Sequence, residues 1–359
     1  MKIVGIIVEY NPLHNGHVYH VNEIKRLAKP DLIIAVMSGS ITMRGDLSIH
    51  DKFNKAREAL LNSVDIVIEL PMVYAVERAD IFSKNSIDLL SYMNVDEIWI
   101  GSEENNTLLY EKYYKEEINT TPINGESYKS ASFKQMPFSS NDILGYGYYK
   151  AIRDNGYNIK LNTIKRECSN YLDSTPSHNS IASALAIRGN LSLIKDYCPS
   201  YVSGEALAEE RLFPYLKYKI LTSTPSELKE IFFVDEGIEN KLIEIKGYNT
   251  LNDFIKHLTS KRYTSTRIKR MLMYILFNIK RADINDILKD RIPYVRVLGY
   301  SKNGKEYINK IKKDILIYTN IKEGLHKSLD IELRISRLLD YIYNLDLFTL
   351  EQKGPQTIE

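Results

Sequence analysis

Lys2-Ile3-Val4-Gly5-Ile6-Ile7-Val8-Glu9-Tyr10-Asn11-Pro12-Leu13-His14-Asn15-Gly16-His17-Val18-Tyr19-His20 opens the chain and decides its architecture. Lys2 to Val8 is the near-continuous apolar run that a fully buried strand requires. Pro12 has no amide proton and disfavours helical backbone at Asn11, so the strand must give way to a loop there. Asn15 can cap a helix that opens at Gly16 and carries Val18, Val21, Ile24 and Leu27 on one face. The stretch reads strand, loop, helix. It sets His14 and His17 at a helix N-terminus beside a strand's carboxyl end, where open α/β sheets bind ligands. Unpaired amides and the positive end of the helix dipole favour an anion at such a place, most often a phosphate. Gly16, without a Cβ, lets a ring or phosphate come close to the backbone. A surface turn that merely carries histidines is the alternative reading of the same pattern. A metal centre would need more ligands, yet Cys168 and Cys198 stand apart and no second histidine pair follows. His20, one turn further along, is expected to face away.

Outward from this stretch, strand and helix patterns alternate. Asp31–Met37 is a second strand, Asp51 caps a helix through Leu61, and Asp65–Leu70 is a third strand stopped by Pro71. A helix over Arg78–Met93 leads to strand Asp96–Ile100. A polar stretch over Tyr110–Ser132 precedes helix Asn141–Arg153 and strand Asn158–Ile164. Such alternation implies an α/β fold with a doubly wound parallel sheet. After Asp196 it stops. Ile268, Met271, Leu272, Ile275, Leu276 and Ile279 form a helical stripe, and helices are expected over Pro214–Thr222, Pro225–Phe233, Ile284–Lys289 and Ile331–Leu345. Pro293 and Gly299 break the pattern before a helix over Lys305–Lys313. The expected organisation is an α/β domain over 1–195, a helical C-terminal domain over 196–351, and a frayed polar tail over 352–359.

At 359 residues, two domains are the default. A hydrophobic content of 44% and a charged content of 26% are ordinary for a soluble globular chain. No apolar run reaches membrane-spanning length, no signal-peptide pattern precedes the first strand, and two distant cysteines suit a reducing cytoplasm. The net charge of +2 does not by itself point to nucleic acid, and its distribution leaves two readings open. The segment Thr259–Arg281 holds Lys261, Arg262, Arg267, Lys269, Arg270, Lys280 and Arg281 without an Asp or Glu. Arg267, Arg270 and Tyr274 share a helical face away from the apolar stripe, and Arg296, Lys302, Lys305, Lys310, Lys312 and Lys313 follow downstream. A solvated face is the ordinary explanation; a phosphate backbone is the functional one.

His14-Asn15-Gly16-His17 after a first strand resembles the HxGH signature of the nucleotidyltransferase superfamily, shared by adenylyltransferases and class I aminoacyl-tRNA synthetases. The wider string VEYNPLHNGHVYH is similar to a narrower group, the bacterial tRNA(Met) cytidine acetate ligases. Further matches follow in order: Val36-Met37-Ser38-Gly39, Met43-Arg44-Gly45, Asp65-Ile66-Val67-Ile68-Glu69-Leu70-Pro71, Gly101-Ser102-Glu103, Asn141-Asp142-Ile143-Leu144-Gly145 and Lys165-Arg166. Ile181-Ala182-Ser183-Ala184-Leu185-Ala186-Ile187-Arg188 follows Asn179-Ser180, which supply a helix cap, and resembles the ISSTxIR element that holds β- and γ-phosphates. Ser183 keeps one hydroxyl there, and Ala184 and Leu185 replace two others.

The resemblance implies an ATP site made of Ile7, Val8, Glu9, Tyr10, Asn11, Pro12, Leu13, His14, Asn15, Gly16, His17, Val18, Tyr19, His20, Gly101, Asn141 and Arg166. Lys165, Ser183 and Arg188 join it on the polyphosphate side. His14 and His17 are the implied catalytic pair. The implied reaction joins acetate to ATP as acetyl-adenylate, with Mg²⁺ accompanying the polyphosphate, then acetylates the wobble cytidine of elongator tRNA(Met). Ser38, Gly39 and Arg44, in the loop Ser38–Asp46, fall on the acceptor side, where that loop would shield the adenylate. Lys261, Arg262, Arg267, Lys269 and Arg270 would contact tRNA. A small-molecule adenylyltransferase and a non-catalytic RNA-binding protein on the same fold are the alternatives. The absence of a KMSKS-like loop argues against a synthetase.

Overall fold

The computed structural model describes residues 1–116, 138–166, 181–202 and 205–358. Most of the polar stretch Tyr110–Ser132, Cys168 and the expected Asn179-Ser180 cap lie outside the described residues. Within them, helix Thr107–Lys115 occupies the start of the expected polar stretch.

Five parallel strands form the centre: β1 (Ile3–Val8), β2 (Leu32–Ser38), β3 (Ile66–Leu70), β4 (Glu97–Ser102) and β5 (Lys160–Lys165). Their spatial order is β5-β4-β1-β2-β3. Helices α1 (Asn15–Ala28), α2 (Lys52–Leu61), α3 (Ala79–Tyr92) and α4 (Ser140–Asp154) intervene along the chain. β2 and β3 are buried at every position, which is why they read as unbroken apolar runs rather than alternating ones. The chain leaves β1 toward β2 on one side and returns from β3 to β4 on the other. That reversal opens a crevice at the carboxyl ends of β1 and β4, the position at which such sheets bind ligands.

The C-terminal region is not purely helical. Val295–Tyr300, spanning the expected break at Gly299, is strand β6, antiparallel to β3. β7 (Ile317–Tyr318) pairs with β6, and so does β8 (Gln356–Thr357), which replaces the expected frayed tail. β3 would otherwise present a row of unpaired backbone groups, and β6 satisfies them. Sequence periodicity could not show this, because a six-residue apolar run with a glycine fits several structures.

A buried ionic cluster fastens the two regions together. Lys52 Nζ of α2 lies 2.7 Å from Glu69, 3.1 Å from Glu332 and 2.5 Å from Glu351. Arg296 pairs with Glu351 at 3.1 Å, and none of the five side chains is more than 1% exposed. Glu332 and Glu351 belong to the C-terminal helices Lys327–Tyr343 and Leu347–Lys353. Three carboxyls face two cations, and burial pushes Glu69 up to about 8, so it tends to keep its proton. Arg296, expected on a basic surface, is therefore an interior ion-pair partner. Lys302, Lys305, Lys310, Lys312 and Lys313 are exposed. Their segment starts where Ser301 bonds Asp65, just ahead of β3, at the sheet edge opposite the crevice. They do not extend a basic surface at the histidines.

Candidate active site

The cap of α1 is His14, not Asn15. The His14 ring Nδ1 accepts from the Gly16 amide at 3.1 Å, and the His17 ring Nδ1 accepts from the His14 amide at 3.2 Å. This is a reciprocal capping box in which two imidazoles do what Ser and Glu ordinarily do. The rings sit with centroids 3.9 Å apart, and Tyr10 meets the His17 ring edge-on at 4.8 Å. Gly16 is required because a Cβ there would lie 2.9 Å from the His14 ring. The group that approaches this glycine is the protein's own histidine.

The cap fixes the tautomers. With both Nδ1 atoms accepting, a neutral ring must carry its proton on Nε2. Burial, with Arg166 and Arg188 nearby, pushes His14 down to about 3. Burial, then His14, His20 and Arg166, hold His17 well below its ordinary value. Both rings are neutral near pH 7, and each is set to donate through Nε2. His20 does not face away: it affects His17, Arg166 affects it in turn, and it is pushed down to about 4. Its Nε2 is buried without a hydrogen-bond partner among the described residues.

Across the crevice, Gly101, Asn141 and Arg166 converge on Glu103. Glu103 Oε1 accepts from Asn141 Nδ2 at 2.7 Å and pairs with Arg166 Nε at 3.3 Å, while Oε2 accepts from Ser139 at 2.5 Å. Arg166 lies against Gly101, where a Cβ would stand 3.4 Å from the arginine's Cγ. Arg188 Nη1 donates to the Asn11 carbonyl at 2.6 Å, tying α5 (Ala184–Gly189) to the histidine loop. Ser183 caps α5 by accepting from the Ala186 amide at 3.0 Å, so this helix begins later than the sequence suggested. Lys165 is exposed and makes no described contact with the cluster. Tyr10 and Leu13 are core residues, so a nucleotide can meet only their backbone.

The loop after β2 is a hairpin, with a bridge between Ile41 and Leu47 and the Thr42 amide bonded to the Asp46 carbonyl. Glu9 fixes it by accepting from the Met43 amide at 2.7 Å. Ser38 and Gly39 lie beneath it. Their carbonyls, with that of Glu9, accept from Lys55 Nζ at 2.8–3.0 Å, and Ser38 is 1% exposed. This buried ammonium, pushed down to about 8 by desolvation, clamps the carboxyl ends of β1 and β2 together. Arg44 stands within electrostatic reach of Arg270.

Helix α6 (Ser265–Leu276) does not present the shared basic face expected of it. Tyr274 is fully buried. Arg270 turns inward and donates through Nε to the Met43 carbonyl at 2.7 Å, and Lys269 pairs with Asp46. Arg267 pairs with Asp235 at 2.9 Å and stacks over Tyr263 at 4.3 Å. Of the segment's other cations, Lys261 and Arg262 are exposed, although Arg262 also reaches Glu236 at 2.6 Å, while Lys280 pairs with Glu230 at 2.8 Å and Arg281 donates to the Val234 carbonyl at 2.9 Å. The apolar stripe was legible because its period is that of a helix; the fate of Arg267 and Arg270 was not, because their acceptors, Asp235 and the Met43 carbonyl, come from distant segments.

A family model described as HIGH Nucleotidyl Transferase matches residues 1–353. Curated relatives called tRNA(Met) cytidine acetate ligase include one from Leuconostoc mesenteroides, 37% identical over 91% of each chain. Another, from Bacillus subtilis, is 34% identical over 94% of this chain and 92% of its own. The chain belongs to the tRNA(Met) cytidine acetate ligase family. A crystal structure of Thermotoga maritima TmcAL bound with alpha-thio ATP superposes with a TM-score of 0.83 at 25% identity over the whole of both chains. The apo structure of the same protein gives 0.85.

In a member of this family, two residues that sequence reasoning left without a role acquire one. Glu103 entered the sequence reading only as part of the Gly101-Ser102-Glu103 motif; here it orients Asn141 and Arg166. Its signal was its place directly after Gly101-Ser102 at a strand end. Lys55 gave no signal beyond a lysine in an amphipathic helix. Among the described residues no group of three or more His, Cys, Asp or Glu is placed to hold a metal ion, and no helix is long and apolar enough to cross a membrane.

Proposed function

We propose that the chain is an ATP-dependent ligase that activates acetate as acetyl-adenylate and acetylates N4 of the wobble cytidine of elongator tRNA(Met). The observation that carries this reading is the pair of neutral imidazoles whose Nε2 donors are fixed by the α1 cap, beside a crevice ringed by Arg166 and Arg188. Acetate is ionised at neutral pH, so its attack on the α-phosphorus needs no base. It needs positioning and stabilisation of charge on the phosphate oxygens. An acetate oxygen forms a bond to the α-phosphorus, the bond to the β-phosphate oxygen breaks, and pyrophosphate leaves. His14 and His17 donate to the α-phosphate as its charge builds. Arg188 and Ser183 lie on the polyphosphate side, and Gly101 and Asn141 on the nucleoside side. In the second step cytidine N4 bonds to the acetyl carbon, AMP leaves with the former carboxylate oxygen, and N4 loses a proton to water.

The described residues offer no three-ligand metal cluster, so Mg²⁺ would travel with ATP, held by phosphate oxygens and water. Lys261 and Arg262 are the cations of the basic segment best exposed to a tRNA backbone, and the cytoplasm is where such a substrate occurs. The decisive experiment is ATP–pyrophosphate exchange with and without acetate, followed by mass spectrometry of tRNA nucleosides. Acetate-dependent exchange and an acetylated cytidine are expected. Transfer of a nucleotidyl group to a phosphorylated small molecule, with no acetylated nucleoside, would replace this reading with that of an adenylyltransferase.

A further inference from the structure

Arg270 was expected to touch tRNA phosphates from a solvated helix face. Its position is different. Among the described residues only its Nε makes a hydrogen bond, to the Met43 carbonyl. Among those residues its terminal nitrogens form no ion pair either, although Glu9, Glu77 and Arg44 are all within electrostatic reach. The side chain is deeply set yet still partly open to solvent. A guanidinium with its fork unused and its stem immobilised is a receptor for a planar anion, because two parallel N–H groups match a carboxylate.

Two connections tie this receptor to the histidine loop. Met43, which holds Arg270 through its carbonyl, is itself held through its amide by Glu9, the residue that follows β1. Lys269, the preceding residue, is within electrostatic reach of Arg188, which bonds the Asn11 carbonyl. Residues 269 and 270 therefore flank the histidine loop from the β2 side, while Gly101, Asn141 and Arg166 flank it from the β4 side. ATP in the crevice between β1 and β4 would leave the β2 side for the group that attacks its α-phosphate.

We infer that Arg270 binds the carboxylate of acetate and holds it for attack on the α-phosphate; this rests on the ligase reading above. The surroundings favour a small monoanion over a tRNA backbone. Glu9 and Glu77 stand near the guanidinium, and Glu77, pushed up by burial to about 7, retains part of its negative charge at neutral pH. A string of phosphates would be repelled by both. The hairpin also packs hard on the helix: Gly45 has φ +82°, and a Cβ there would lie 2.5 Å from the Arg270 amide nitrogen. That contact fixes the hairpin against the backbone from which the Arg270 side chain starts.

The test uses acetate itself, with the full-length chain. Arg270→Gln should raise the KM for acetate by about 10- to 100-fold, as expected for losing a charged hydrogen-bond partner. The KM for ATP should stay within about twofold. Arg270→Lys, which keeps a point charge but not the fork, should fall between. Both are measured by acetate-dependent ATP–pyrophosphate exchange without tRNA and by tRNA acetylation across acetate concentrations, with thermal unfolding alongside. An unchanged acetate KM with a raised tRNA KM would return Arg270 to the tRNA surface and overturn the inference. Parallel loss of ATP and acetate affinity in both variants would also overturn it, by assigning Arg270 only to holding the hairpin. If the unaltered chain shows no acetate-dependent exchange and no tRNA acetylation, the ligase reading itself fails, a result distinct from either.

Discussion

The two nitrogens of His17 are given separate work by the cap of α1, and side chains that mimic one or the other can separate them. Nδ1 accepts the His14 amide at 3.2 Å, which leaves Nε2 as the donor. In His17→Asn the amide oxygen can occupy the Nδ1 position and keep the cap, but nothing replaces Nε2. In His17→Gln the amide nitrogen reaches the Nε2 position, and the cap is lost. Removing one preorganised donor from a charge-developing site costs about 10²- to 10³-fold in turnover. Losing a cap costs about 0.5–2 kcal/mol of stability. His17→Asn should therefore unfold near the wild-type temperature yet turn over at least about 100-fold more slowly. His17→Gln should be less stable and lose much less turnover. Because burial keeps the ring neutral, the deficit of His17→Asn should be the same from pH 6 to pH 8. The assay is acetate-dependent acetylation of tRNA, with calorimetry on the same samples. A folded His17→Asn that works within a few-fold of wild type, or a His17→Gln equally impaired, would refute the assignment of Nε2 as the donor.

Three further outcomes follow from the same geometry. His20 is held neutral, pushed to about 4 by burial and Arg166. Above about pH 6.5 the ring is neutral folded or unfolded and contributes nothing; below it the unfolded chain takes up a proton that the fold refuses, so stability falls toward pH 4. His20→Asn should accordingly gain about 2 kcal/mol on the wild type between pH 7 and pH 5, measured by urea unfolding at each pH. No relative gain on acidification would mean that His20 is protonated in the fold. Lys52→Met leaves Glu69, Glu332 and Glu351 facing one cation, and removing one partner of such a buried cluster should cost about 3–5 kcal/mol in urea unfolding; a loss below about 1 kcal/mol would show the cluster to be slack. Neutralising Lys261 and Arg262 together should lower the slope of log affinity for tRNA against log salt by somewhat under about two units, whereas an unchanged slope would remove them from the tRNA surface.

The sequence by itself determined the strand, loop and helix over residues 2–28, because Pro12 must end a strand and the apolar spacing after Gly16 has a helical period. It pointed to the four other parallel strands through their alternation with helical segments, most clearly at Leu32–Ser38 and Ile66–Leu70, whose near-continuous apolar runs suit a sheet covered on both faces. The family was legible too, from short motifs lying in order near strand ends. Only the tertiary structure decided which atom caps α1, because Asn15 is the better capping residue by type and loses to a histidine whose ring folds back over Gly16. It also decided the fate of the charges. Arg270, Arg296, Lys52 and Lys55 are written as ordinary basic residues, and their acceptors come from segments up to 299 positions away, as Glu351 is from Lys52. Local pattern carries the backbone's choice between strand and helix. Where a long charged side chain ends is settled by burial and by partners that only the folded chain brings within reach.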